Sequence, residues 1–279
     1  MPDTPTISVI IPSGDASRDR NLELLRQDLQ SQSLQPNEIE IVRGVSPNGR
    51  ARNMGVERTT GEILVFLDDD VRLGTPHILR DLVHYLQADP HLGIVGTSQL
   101  LPPDASRFQR ICARQIPRSQ SPIVHELTDS DMVTTACCAM RRAVLDEVGG
   151  FHDRILRGVD PELRHRVRQA GYRIAVIPNA WHYHPMPATL RQLLRMAWRN
   201  GAASAYARRH FPDTVLYNPE GHVATFQAKR SLLQRIGGNL ARLLVDLGTG
   251  RWYGLLYGLA YAAGNVLGGR TASNGKSAP

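Results

Sequence analysis

The sequence predicts an α/β domain, a mostly parallel central sheet with flanking helices, followed by a basic helical tail at the C-terminus. Three observations point there. Over about the first seventy residues, short apolar runs alternate with helical stripes in the order strand, helix, strand, helix, strand. One of those runs, Ile63 to Leu67, is apolar at every position, as in a strand buried on both faces, and it ends in Asp68, Asp69 and Asp70. After Gly221 seven basic residues face a single acid, Asp246, so that segment carries nearly all of the net charge of +7.

Ile7 to Pro12 form the first strand, stopped by proline and followed by the polar turn Ser13 to Ser17. Leu22, Leu25 and Leu29 give the next segment a helical stripe. Glu38 to Val42 form the second strand, and Arg50 to about Thr59 a helix that leaves at Gly61. With Ile63 to Leu67 these complete a βαβαβ unit whose right-handed crossovers make the strands parallel. Thr75 and Pro76 read as the cap and first turn of a helix buried through Ile78, Leu79, Leu82, Val83 and Leu86. A strand returns at Gly93 to Gly96, and Gln99 to Asp129 read as a long irregular loop able to cover a ligand. Met132 to Met140 are apolar, and a helix from Arg141 ends at Gly149 and Gly150. A helix from Asp160 to Gly171 reads with Asp160 at its N-cap. Ile174 to Ile177 form a strand that has ended before Trp181, and a helix from Thr189 to Arg209 is interrupted at Asn200 and Gly201.

Composition narrows the class. A chain of 279 residues with 42% hydrophobic and 21% charged residues folds as one large domain plus an appendage. Cys112, Cys137 and Cys138 have neither disulfide nor zinc spacing, and Met1 to Thr6 lack the regions of a signal peptide. A cytoplasmic protein is expected. The near-neutral body argues against nucleic acid as a partner.

Folding gives no reason to run a buried strand into three carboxylates, which repel unless a cation or arginines compensate them. At the C-terminal edge of an open sheet, a divalent cation carrying a phosphate meets that need. A solvated acidic turn is the alternative. A dehalogenase-type phosphatase motif is superficially present in Asp68-Asp-Asp-Val-Arg72, but it belongs after a first strand, without arginine at its end.

Seven motifs share one order: Ser8-Val-Ile-Ile-Pro12, Ala51-Arg-Asn-Met-Gly55, Phe66-Leu-Asp-Asp-Asp-Val71, Arg141-Arg142 leading to Val148-Gly-Gly-Phe151, Gly158-Val-Asp160 with Leu163, Ala170-Gly-Tyr172, and the late His182 and His184. Together, from about Ile7 to Tyr206, they resemble the inverting glycosyltransferases of family 2, which have the GT-A fold. The resemblance implies a GT-A domain over residues 1–221, a nucleotide-diphosphate sugar donor, a glycan or lipid-linked acceptor, and Mg²⁺ or Mn²⁺ as cofactor. Asp68 and Asp70 match the DxD motif, with Asp70 as the direct metal ligand and Asp68 nearer the ribose or the metal's waters. His182 or His184 completes the metal site. Pro12 and Asp15 lie where the family contacts the nucleotide, and Arg52 offsets the acids or reaches a phosphate. Asp160 matches the general base, and Asp69, in the variable middle position, is expected to be dispensable.

Two departures stand out. The acidic cluster expected after the second strand reads Arg43-Gly-Val-Ser-Pro-Asn48, and the glutamate expected before the base is Val159. A non-catalytic relative that binds a nucleotide sugar, or organises a membrane assembly, is therefore the second reading. The QxxRW motif of processive synthases is absent, which favours addition of a single sugar.

In the tail, residues 222–279, Leu240 to Leu247 and Trp252 to Gly268 are apolar, with aromatic and basic residues alongside. Helices lying on an anionic cytoplasmic membrane surface are expected, rather than a crossing. Packing on the domain, or a homodimer interface, is the alternative.

Overall fold

The computed structural model describes residues 5–116, 118–212 and 231–268. In chain order the first half contains β1 (Ile7–Ser13), α1 (Asp19–Gln30), β2 (Glu38–Arg43), α2 (Asn48–Glu57), β3 (Ile63–Leu67), β4 (Arg72–Leu73), α3 (Ile78–Ala88) and β5 (Leu92–Leu100). Then follow α4 (Arg107–Gln115), β6 (Thr128–Asp129), β7 (Cys137–Arg141), α5 (Arg142–Glu147), α6 (Val159–Gln169), β8 (Arg173–Tyr183), α7 (Leu190–His210), α8 (Leu232–Gly248) and α9 (Trp252–Leu267).

Every residue of β1 and β3 is buried, because successive side chains enter two different apolar layers. Ile7, Val9, Ile11, Ile63, Val65 and Leu67 pack with Leu22, Leu25 and Leu29 of α1 and Leu79, Leu82 and Leu86 of α3. Each such leucine contributes roughly 2 kcal/mol on burial. Ile10, Leu64 and Phe66 pack on the opposite face with Val144 and Leu145 of α5 and Leu163 and Val167 of α6.

Among the described residues the strands form one sheet in the order β2-β1-β3-β7-β5-β8-β4, with β6 paired to β8. β1 is parallel to β2 and β3, as the crossovers require, and β5 is parallel to β8. β7 runs antiparallel between β3 and β5, and β4 and β6 run antiparallel to β8, so the sheet is mixed. The C-terminal ends of β1, β2, β3, β5 and β8 thus share one edge with the start of β7.

Several elements differ from expectation for local reasons. The stretch from Gln99 to Asp129 is not wholly irregular: it contains α4, whose Ser106 and Gln109 form a reciprocal capping box. β8 continues through Trp181 and His182 because it pairs with β5 and β4 there. α3 begins after His77, two residues beyond the expected cap. α7 runs through Asn200 and Gly201 without a break. Gly201 is needed for contact with α9, since a Cβ there would lie 2.0 Å from the carbonyl oxygen of Tyr261. Asn265 donates to the Gly201 carbonyl at 3.1 Å, and Tyr261 bonds Ser204 at 3.0 Å.

The tail therefore packs on the domain through α9. Tyr253 and Tyr257 join Cys112, Ile116 and Leu193 in a small apolar cluster. Asp246 of α8 is buried between Arg242 and Arg251, and both arginines also donate to the Gln115 carbonyl at the end of α4. Among the described residues no helix is long and apolar enough to cross a membrane.

Candidate active site

β3 delivers Asp68, Asp69 and Asp70 to the shared edge, and each acid has a different set of partners, with Arg18 reaching two of them, 3.7 Å from Asp69 and 3.2 Å from Asp70. Asp68 accepts from Arg52 at 2.6 Å, and the Arg52 side chain is only 3% exposed. Asp69 is buried and accepts from Ser13 Oγ at 2.8 Å, which ties the triplet to the end of β1. Asp70 meets Arg18 at 3.2 Å and His184 Nε2 at 3.4 Å. The expectation that Asp69 is dispensable is at odds with its buried bond to Ser13.

The local sequence explains why Arg52 stands there. Asn53 donates to the Phe151 carbonyl and accepts from the Phe151 amide, at 2.8 and 2.9 Å, so α2 is clamped to the turn that follows α5. Gly149 and Gly150 make that turn with φ of 80° and 73°, a conformation that glycine adopts without strain. The Arg52 guanidinium then lies 5.7 Å from the Phe151 ring centroid. The paired arginines brace neighbouring chain ends: Arg142 donates to the carbonyls of Val56, Thr59 and Gly61, and Arg141 to those of Leu86, Pro90 and Leu92.

Burial pushes the Asp68 carboxyl up, against the pull of Arg52, and the charges of Asp70 and Asp160 push it further. Burial also acts to raise Asp70, but His184 and Arg18 outweigh it and hold Asp70 below the usual range. His184 is raised in turn, because Asp70 outweighs its desolvation. Asp68, Asp70 and His184 each offer a ligand atom within 4.8 Å of the others. Two carboxylates and one imidazole are a donor set that suits Mn²⁺ or Mg²⁺.

His182 stands apart from this group. It is 1% exposed and bonds Thr97 Oγ1 through Nδ1 at 2.7 Å, and burial drives its pKa down to about 3. Of the two late histidines, only His184 lies with the acids, just past the end of β8. Pro12 is buried inside β1, paired with Val42. Asp15 caps a short 3-10 turn by accepting from the Ser17 amide at 2.9 Å, and the Ser17 hydroxyl together with that amide lowers its pKa.

Asp160 lies in the first turn of α6, but Gly158, with φ of 86°, is the N-cap, and no side chain caps the helix. Its carboxylate accepts instead from Thr135 Oγ1 at 2.5 Å. Val159, where a glutamate was expected, is buried among Phe151, Ile155 and Leu163. Arg43, in place of the expected acids, pairs with Asp19 at 2.7 Å. Sequence reasoning missed Arg18, Ser13 and Thr135, all of which reach the site across long separations; only the position of Ser13 at the end of β1 and of Arg18 in the turn after it hinted at them.

Comparison with known proteins agrees with this geometry. The family model described as "Glycosyltransferase like family 2" matches residues 7–203. The O-antigen chain rhamnosyltransferase RfbN of Salmonella typhimurium is 27% identical over 175 residues, 59% of this chain and 55% of that protein. The pre-mycofactocin glycosyltransferase of Mycobacterium tuberculosis is 27% identical over 226 residues, 77% of this chain and 46% of that one. The chain thus spans about half the length of these curated relatives. The mannosyltransferase PcManGT from Pyrobaculum calidifontis, solved in complex with GDP-Man and Mn²⁺, superposes with a TM-score of 0.58 at 18% identity, over 95% of this chain and 88% of that chain. The fold is therefore GT-A, and with its family model matched over most of its length the chain belongs to glycosyltransferase-like family 2.

Proposed function

We propose that the protein is a metal-dependent inverting glycosyltransferase that moves one sugar from a nucleotide-diphosphate donor to a hydroxyl of a polysaccharide precursor or lipid-linked glycan. The observation that carries the reading is the convergence of Asp68, Asp70 and His184 at the C-terminal edge of the sheet. Asp70 and His184, with Asp68 beside them, would hold Mg²⁺ or Mn²⁺. Such an ion supplies Lewis-acid stabilisation of the charge that develops on a departing diphosphate. Arg52 opposes the burial that raises the Asp68 carboxyl and orients it, Arg18 is placed to turn from Asp70 toward a phosphate, and the loop around Pro12 and Asp15 takes the nucleotide. Asp160 accepts the proton of the acceptor hydroxyl as that oxygen attacks the anomeric carbon.

Names of relatives support the substrate class: one is a rhamnosyltransferase of O-antigen chains, and the structural neighbour binds GDP-Man and Mn²⁺. The tail supports a peripheral place on the cytoplasmic membrane face. While α9 packs on α7, α8 leaves Leu233, Ile236, Leu240, Leu244 and Leu247 exposed as one helical stripe. Trp252, at the start of α9, is exposed as well. Of the seven basic residues expected to meet anionic lipid, Arg242 and Arg251 pair with Asp246, and Lys229, Arg230, Arg270 and Lys276 lie outside the described residues.

Thermal shift and nucleoside diphosphate release, measured with UDP-glucose, GDP-mannose and dTDP-rhamnose and with Mn²⁺ or EDTA, test the reading. Asp70→Ala is expected to abolish the metal-dependent shift. Asp160→Asn is expected to keep the shift and lose turnover. Binding without turnover across the donors would establish the non-catalytic alternative.

A further inference from the structure

Asp160 has no acidic neighbour at 159 and does not cap its helix, yet its carboxylate is held. The holder is Thr135, 4% exposed, whose hydroxyl donates to Oδ1 at 2.5 Å. Thr135 belongs to the segment that leads into β7, and the next residue, Ala136, accepts from the Asp68 amide at 3.1 Å. One dipeptide therefore touches both walls of the site: its side chain fixes the carboxylate of α6, and its backbone fixes the first acid after β3. A second link runs in parallel, since Arg164, one turn along α6, donates to the Val133 carbonyl.

The chemistry asks for such a link. A base must present one oxygen along the line opposite the leaving group, and a carboxylate on a single Cβ–Cγ bond rotates unless one oxygen is occupied. A neutral hydroxyl donor orients Oδ1 without adding a positive charge of its own beside the base, and it leaves Oδ2 free to face the acceptor. A cation in that place would orient the carboxylate and weaken it as a base.

We propose that Thr135 is a positioning residue: it sets the orientation of Asp160 and, through Ala136, its distance from the metal-binding acids, in place of the glutamate that Val159 replaces. This rests on the reading of Asp160 as general base.

The test uses the full chain with Mn²⁺ and the three donors above. Thr135→Val keeps the shape and removes the hydroxyl. Misplacing a reacting group by about an ångström costs on the order of 100-fold, so kcat is expected to fall about 10- to 100-fold. Donor KM and the donor-dependent thermal shift should stay at wild-type values. Thr135→Ser should restore kcat to within about threefold, because the hydroxyl orients the carboxylate. Thr135→Val combined with Asp160→Asn should be no slower than Asp160→Asn alone. Thr135→Ala carries the same expectations if the valine variant does not fold. Wild-type kcat in the valine or alanine variant, failure of serine to restore it, or a loss that falls equally on donor KM overturns the proposal while leaving Asp160 as base. Wild-type turnover in Asp160→Asn, or no release from any donor by the wild-type chain, overturns the underlying reading and the proposal with it.

Discussion

Replacing Arg52 with methionine removes the charge that faces Asp68 while keeping most of the buried stem. The two groups meet at 2.6 Å, with Arg52 3% and Asp68 27% exposed. Unit charges about 4 Å apart attract by about 4 kcal/mol at an effective dielectric of 20. Solvent reaches Asp68 and screens part of that, so Arg52→Met is expected to cost about 2–3 kcal/mol, below the range for breaking a fully buried pair. For a chain of this size that lowers the melting temperature by about 5–10 °C. The pH dependence has a definite sign. Burial already raises the Asp68 carboxyl in the fold, so the folded state binds a proton more readily than the unfolded chain, and stability from this group falls as pH rises. Losing Arg52 raises the carboxyl further, and the deficit of the variant should therefore be small near pH 4 and grow toward pH 8. Asp68→Asn in the methionine background should recover about 1–2 kcal/mol, read as a coupling in a double-mutant cycle of urea unfolding. Mn²⁺ should stabilise Arg52→Met more than it stabilises the wild type, because an uncompensated carboxylate attracts the cation more strongly. A melting temperature equal to wild type at pH 8, or a coupling below about 0.5 kcal/mol, would refute this account of the pair.

Three further outcomes are expected. Gly201→Ala gains about 1 kcal/mol of helix propensity but forces a Cβ to within 2.0 Å of the Tyr261 oxygen, so a lower melting temperature and faster proteolysis within residues 232–268 should result; a melting temperature at or above wild type contradicts the α7–α9 packing. Glu38, held by the Ser8 hydroxyl and by the Thr60 amide and hydroxyl, has its pKa drawn down to about 2, so its contribution is present above about pH 4.5 and lost as pH falls toward 2; the urea midpoint of Glu38→Gln should change less between pH 6 and pH 3 than that of the wild type. Leu240→Glu with Leu244→Glu should weaken sedimentation with phosphatidylglycerol-containing vesicles without lowering the melting temperature; undiminished vesicle binding, or loss of a dimer in ultracentrifugation instead, would remove the membrane role from the α8 stripe.

The order of elements through β3 was legible because it rests on local signals. The short apolar runs of β1 and β3, the leucine stripe of α1 and the glycine stop after α5 act over a few residues, and each appears where the sequence places it. α4 was hidden because it is only nine residues long, among prolines and scattered charges; Phe108 and Cys112 on one face and the capping box at its start were its local signs. The extension of β8 was invisible because pairing partners on β5 and β4, not its own residues, decide where it ends. Gly201 reads as a break in isolation, and only the approach of α9 turns it into a contact.

For the site, the sequence by itself determined that carboxylates follow a buried strand at the edge where an α/β sheet binds ligands, and that an aspartate opens a later helix. Tertiary structure alone decided how these acids differ. Asp68 has Arg52, Asp69 has Ser13, Asp70 has Arg18 and His184, and Asp160 has Thr135. It also separated His184 from His182, two residues apart, because β8 ends between them and leaves one beside the acids and the other in the core. The reason is common to all of these: the order of strands is carried by short-range patterns of apolar residues, whereas a partner brought from the far end of the chain leaves no pattern around the residue it will hold.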